Sequence, residues 1–151
     1  MEYRKGNDIV DYLENIIYKD TQIQEDGIHL TVYKIFQLTG RGELDFGGSE
    51  YKECNPREIP PEKRSPDDKY GWWSLNKGEY LLEFNEKVVE SLLEENILVL
   101  QPAKMLTKNG SYHPTFIINK PGRITTTLFV GEVGLNIKEN ARISKLIVIV
   151  K

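Results

Sequence analysis

From residue 27 onward the apolar residues of this chain recur at every second position in short runs, and glycine or proline interrupts each run. Gly27-Ile28-His29-Leu30-Thr31-Val32-Tyr33-Lys34-Ile35 sets the pattern. Such alternation buries one face of an extended strand and leaves the other wet. Gly40, Gly42 and Gly47-Gly48 then break the chain. Strand character resumes in 72–82 around an Asn76-Lys77-Gly78 turn, and recurs at 97–101, 112–118, 124–130 and 145–150. Many short strands without βαβ alternation predict a mainly antiparallel sandwich or barrel.

The N-terminal stretch carries the other period. Ile9, Leu13, Ile16 and Ile17 fall on one helical face, and Asn7 or Asp8 is placed to cap it. Asp8 and Asp11 sit at the end where the helix dipole favours anions. A short helix through Ile17, within an N-terminal segment 1–20, is therefore expected to pack on the β body. Val88–Asn96 has helical spacing as well. Residues 51–70 mix Pro56, Pro60, Pro61 and Pro66 with charge and keep neither period. They predict an ordered surface loop at an edge, with a partner-binding loop as the alternative.

A chain of 151 residues, 39% hydrophobic and 28% charged, suffices for one soluble globular domain over 1–151. The formal net charge of −3 gives no broad footprint for nucleic acid. No apolar run approaches the roughly 18–20 residues of a membrane helix, and Met1-Glu2-Tyr3-Arg4-Lys5 does not open a signal peptide. Cys54 is the only cysteine, so no intrachain disulfide forms and a cytoplasmic setting fits. His29, His113 and Cys54 lack metal-ligand spacing, so no metal site is expected.

Two blocks near the C-terminus carry a resemblance. Ile97-Leu98-Val99-Leu100-Gln101-Pro102-Ala103-Lys104-Met105-Leu106-Thr107-Lys108-Asn109-Gly110 is followed by Leu135-Asn136-Ile137-Lys138-Glu139-Asn140-Ala141-Arg142-Ile143-Ser144-Lys145-Leu146. Together they resemble the dUTPase and dCTP deaminase superfamily, with its Pro-Arg-Ser-Ser-Leu-x-Arg-x-Gly loop and Gly-Ala-Arg-Ile-x-Gln-like turn. Gly27-Ile28-His29-Leu30-Thr31-Val32 is similar to the family's Gly-x-Asp-Leu-x-Val strand, and Leu75–Val88 to its Leu-x-Pro-Gly segment. The resemblance runs from about residue 8 to the end. It implies a distorted jelly roll, or β-clip, with a short N-terminal helix. It also implies a homotrimer whose active sites lie between subunits and hold a pyrimidine deoxynucleotide with Mg2+.

The family's chemistry does not follow its frame. Ala103, Lys104 and Met105 occupy the Arg-Ser-Ser positions, so the planar guanidinium fork and a hydroxyl are gone. No carboxylate lies between Ser111 and Gly131, where the family places its water-activating acid. His29 stands where an aspartate is common, and Lys145 where a glutamine is expected. No catalytic residue is therefore assigned. Residual nucleotide binding would rest on Lys104, Lys108, Asn119, Arg123, Arg142 and Lys145, with Lys120 beside them. Arg142 has the alternative of a structural role in its turn.

Three functional readings follow. The first is a binding or assembly module without efficient hydrolysis or deamination, needing no cofactor and acting on a nucleotide or a protein partner. The second is an active dUTP diphosphatase or dCTP deaminase with Mg2+, its base displaced to Glu79, Glu83 or Glu86. The third is a structural oligomer that uses the 51–70 loop as its contact surface. Of the adjacent tryptophans, one is expected in the core and one at a surface, since neighbouring strand residues face opposite ways. His113 is expected as a surface or semi-buried side chain with nothing to orient it, and His29 on a polar face.

Overall fold

The computed structural model describes residues 1–151. The chain opens with α1 (Gly6–Ile9), a 3-10 turn (Val10–Tyr12), β1 (Leu13–Glu14), α2 (Lys19–Gln22), β2 (Ile23–Gln24) and the long β3 (Gly27–Thr39). Next come β4 (Asn55–Glu58), β5 (Trp72–Leu75), β6 (Gly78–Val88), α3 (Glu90–Glu95) and β7 (Asn96–Pro102). The C-terminal part holds α4 (Lys104–Thr107), β8 (Phe116–Ile118), β9 (Gly122–Val130), β10 (Leu135–Lys138) and β11 (Arg142–Val150).

Nine strands form one curled antiparallel sheet, and β5 pairs with β10 in a separate ribbon. The strand β3 is long enough to serve two leaves. Its first half pairs with β11, which pairs with β7 and then β8. Its second half pairs with β6, and β4 and β9 extend that leaf. Apolar residues from both leaves meet in one cluster that includes Ile28, Leu30, Leu82, Phe84, Leu128 and Leu146, none of them exposed. The mainly β architecture with a short helical start agrees with the alternation in the sequence.

Where β3 passes from one leaf to the other, the ladder is irregular in all three participating strands. The register shifts between Val32 and Lys34 in β3, Arg142 and Ser144 in β11, and Glu83 and Lys87 in β6. Bulges of this kind bend a sheet and strengthen its local twist. They also leave backbone groups without ladder partners, which must be satisfied otherwise.

Four local expectations need correction. The helix through Ile17 stops at Tyr12, because Leu13 and Glu14 pair instead with Val88 and Lys87 of β6. Asn15 then adopts a left-handed φ of 66°, which no helix continues. Neither Asn7 nor Asp8 caps α1: the cap position is Lys5, with no side-chain hydrogen bond. The strand expected at 112–118 shrinks to Phe116–Ile118, with Tyr112 making only an isolated bridge to Phe129. The segment 51–70, expected as a loop without either period, contains the strand β4, with Asn55–Glu58 laddered on β3, and Glu62 bridges Trp72 beyond it.

Candidate functional site

Glu86 occupies the transfer point of β3. It is fully buried, and its carboxylate takes over the missing ladder partner. Oε1 accepts the Thr31 backbone N–H at 2.8 Å. Oε2 accepts the Thr31 hydroxyl at 2.6 Å and the Gln22 amide at 2.8 Å. Asn85 extends the network: its Nδ2, with two hydrogens to share, lies 2.9 Å from the Thr31 hydroxyl, 3.0 Å from the Val32 carbonyl and 2.9 Å from the Asn140 side-chain oxygen. Burial pushes the Glu86 carboxyl above its ordinary range, and the bonds from Thr31 and Gln22 partly oppose that rise. No buried side-chain polar atom lacks a partner. Glu86 thus seals a seam in the sheet and is closed to any substrate.

The degenerate loop forms α4, a single turn held where β7 meets β11 by the Ala103 N–H to the Ile143 carbonyl at 2.8 Å. Gly110 closes it at φ 78°, and its carbonyl lies so close to Gly131 that a Cβ there would collide. Ala103 is buried, while Met105 is 46% exposed. Beside α4 lies a cleft of about 340 Å3 lined by Trp72, Met105, Leu106, Ile137, Lys138 and Arg142 among others.

Arg142 enters through the turn before β11, where Asn140 takes a left-handed φ of 66°. Its Nη1 donates to the Thr21 carbonyl and to His29 Nδ1, each at 3.2 Å. The guanidinium can only donate, so Nδ1 of His29 is unprotonated. Burial, then the charges of Arg142 and Lys145, lower the pKa of His29. His29 is half-buried on the face it shares with Arg142. Lys145 pairs with Asp26, whose carboxyl is held low mainly by that bond.

A second groove runs along β8 and the start of β9, lined by Ile117, Asn119, Lys120, Arg123 and Thr125 among others. Arg123 is itself engaged: it donates to the Phe84 carbonyl at 2.7 Å and stacks on Tyr33, 4.4 Å from the ring centre. The anticipated cationic set is therefore distributed. Asn119, Lys120 and Arg123 share this groove, Arg142 lies beside α4, and Lys145 is tied to Asp26. Lys104 and Lys108 project from α4 into solvent.

His113 departs from its expected state. It is only 2% exposed and is oriented from both sides. Nδ1 lies 2.8 Å from the Pro114 carbonyl and Nε2 2.7 Å from the Ser144 hydroxyl. A carbonyl only accepts, so the proton sits on Nδ1 and the serine donates to Nε2. Burial depresses the pKa of His113, opposed by the Pro114 carbonyl. The ring packs edge-on against Phe84 and Phe116. Geometrically this is a Ser–His pair, but Ser144 is fully buried, so it works as a core hydrogen bond.

Proteins of Methanosarcina mazei and Methanosarcina acetivorans, each named a probable deoxyuridine 5'-triphosphate nucleotidohydrolase, are 33% and 32% identical to this chain. Both matches cover 89% of the chain and 76% of the relative. The chain belongs to the dUTPase and dCTP deaminase superfamily. No protein-family model matches this dUTPase-like chain. Its fold matches a crystal structure of 2'-deoxycytidine 5'-triphosphate deaminase from Agrobacterium tumefaciens with a TM-score of 0.69 at 10% identity. That match covers 99% of the chain but 48% of the deaminase, so the chain spans about half of that protein's length.

The dUTPase-like frame does not bring a donor set for Mg2+ with it. That ion keeps several waters in its octahedron and is held through one or two carboxylates together with substrate phosphates. No three His, Cys, Asp or Glu side chains converge in the structure. Neither the α4 cleft nor the 116–125 groove has a carboxylate in its lining. The residues present do not fit a protein-held Mg2+. Trp73 is buried, with its indole N–H on the Ile59 carbonyl at 2.7 Å, and Trp72 is half-buried at the cleft wall, as alternation requires.

Proposed function

We propose that the chain is a non-hydrolytic dUTPase-like protein, a homotrimeric binding or assembly module of the cytoplasm. One observation carries the reading: the two clefts built from the family's motif segments contain no acid. Activation of water needs a group that takes its proton from within hydrogen-bond reach. Of the carboxylates that a displaced mechanism would use, Glu86 is buried and bonded on both oxygens. Glu79 is exposed on β6. Glu83 stands opposite Thr125 and Lys34 in the ladder, so it is the one acid on β6 worth testing beside the groove.

Assembly is supported by the outer face of the β11–β7–β8 leaf. Ile97 lies opposite Ile149, and Val99 opposite both Ile147 and Ile117. These residues alternate with buried Leu98, Leu100, Leu146 and Val148, so they point away from the core. An outward face of β-branched aliphatic residues is the kind of surface that subunit contacts cover. Any residual pyrimidine deoxynucleotide binding would draw on Lys104 and Lys108 of one surface, with Asn119 and Arg123 of the other.

The test is turnover of dUTP and of dCTP with Mg2+ by the purified protein. No release of diphosphate or ammonia is expected. Turnover on the order of 1 per second or faster would overturn the reading, and its loss in Glu83→Gln would name the base.

A further inference from the structure

Between β3 and β4 two large apolar side chains stand in water on a loop whose backbone is fixed. Residues 40–54 are pinned by two backbone hydrogen bonds between Glu43 and Lys52, at 2.8 and 2.9 Å. At the tip the Asp45 carboxylate accepts the N–H groups of Gly48 at 3.1 Å and Glu50 at 2.9 Å. Asp45 is thereby half-buried, while Leu44 is 86% exposed and Phe46 entirely so. No other pair of large apolar side chains close in sequence is as exposed. Covering a leucine and a phenylalanine is favourable in water, and a tip of set shape loses little entropy on being covered. Such a tip is an interaction surface.

The homotrimer proposed above supplies a place for it. Neighbours in a three-fold ring join two different patches, residues on the axis excepted. The outward face of Ile97, Val99, Ile117, Ile147 and Ile149 therefore needs a different part of the next chain to cover it.

Charge selects the tip as that part. Residues 40–54 carry Glu43, Asp45, Glu50 and Glu53 against Arg41 and Lys52. Residues 96–131, which supply β7 and β8, contain no acid, and their cations are Lys104, Lys108, Lys120 and Arg123. Lys120 shares a groove with Ile117, Lys104 opens α4 just beyond β7, and neither joins an ion pair. Glu95, the acid that precedes β7, shares a hollow with Arg4. An acidic apolar tip and a basic apolar face attract one another and disfavour contact with their own copies.

We propose that the 40–54 loop of one chain seats Leu44 and Phe46 on the outer β7–β8 face of the next, head to tail around the trimer. The inference rests on the homotrimeric reading and adds which two surfaces meet.

Light scattering on the eluted parent chain reads the assembly, and Phe46→p-benzoylphenylalanine, irradiated and digested, maps what the tip touches. A trimer is expected, with crosslinks running between chains to residues within 97–99, 117 or 147–149. Leu44→Ser/Phe46→Ser is expected to raise the concentration for half-assembly about a hundredfold or more. The circular dichroism of the folded chain should be retained, because both side chains already face water. A trimer that the double variant leaves unmoved, or whose crosslinks reach another surface, overturns the head-to-tail contact and leaves the trimer standing. Crosslinks confined to one chain within a trimer also overturn it, and leave the tip to a different protein. A monomeric parent overturns the trimer and this contact together.

Discussion

Both carboxylate oxygens of Glu86 are bonded to one residue, Thr31: Oε1 takes its backbone N–H at 2.8 Å and Oε2 its hydroxyl at 2.6 Å. This clamp closes the gap where β3 leaves β11 for β6. Glu86→Ala strands the Thr31 N–H and the Gln22 amide in a buried site. It is expected to lower unfolding free energy by about 3–5 kcal/mol. Glu86→Gln keeps the shape but sets an NH2 against at least one donor, and about 1–3 kcal/mol is expected. Urea denaturation of the purified variants checks both. Stability equal to the parent chain would show that Glu86 does not hold the seam.

Trp73 ties the proline-rich segment to the body through its indole N–H on the Ile59 carbonyl. Trp73→Phe removes that donor and part of a buried ring, and a loss of about 2–4 kcal/mol is expected. Because the bond ends on the segment itself, cleavage within 59–70 by a nonspecific protease should accelerate more than cleavage elsewhere. Uniform acceleration would mean that the segment is held by other contacts.

The sequence reveals what depends on local period and hides what depends on distant partners. Alternation marks β3, β6 and β11 because each buries one face along its length. The same alternation in Leu82, Phe84, Glu86 and Val88 puts Glu86 at an inward position, so a buried acid was readable there. Its partner Thr31 was not, since nothing local states which strand β6 will meet. The N-terminal helix is over-read for the same reason: Leu13 fits a helical face, but Val88 gives it a cross-strand partner. Strand β10 and helix α4 have four residues each, too few to show any period. The loss of acid from the motif segments is visible in the sequence, whereas the division of Asn119, Arg123, Arg142 and Lys145 between separate sites is a tertiary fact.

His113 gives the molecule a pH dependence of defined sign. Burial holds its folded pKa below the ordinary 6.5, so between these values the unfolded chain binds the extra proton. Stability from the neutral ring is fully present above about pH 6.5 and is lost as pH falls from there through the lower folded pKa. His29, also depressed, acts in the same direction, while the raised Glu86 carboxyl acts oppositely at pH values above 4.5. The difference between parent and His113→Asn isolates the ring. The stability gap between them should narrow as pH falls from 7.5 to 5.5, read by urea midpoints. A gap independent of pH would mean that the ring titrates alike in both states.

Ile117 tests whether the outer sheet face is a subunit contact. It is 63% exposed in the single chain and stands opposite Val99, with Ile147 on the next strand. A lysine there costs the isolated fold little, because it reaches water, but in a trimer assembled through this face it would bury one unpaired charge at each subunit contact. Ile117→Lys is therefore expected to convert the trimer into monomer, while the unfolding free energy of the monomeric chain changes by no more than about 0.5 kcal/mol. Light scattering on eluted peaks reads the mass directly. A parent chain that is already monomeric would remove the trimer, and a variant that stays trimeric would move the contact to another face, with the proline-rich 51–70 segment the next surface to delete. Loss of assembly together with retained secondary structure would instead tie the apolar ladder to a quaternary role, since nothing inside the subunit requires Ile97, Val99, Ile117, Ile147 and Ile149 to face outward.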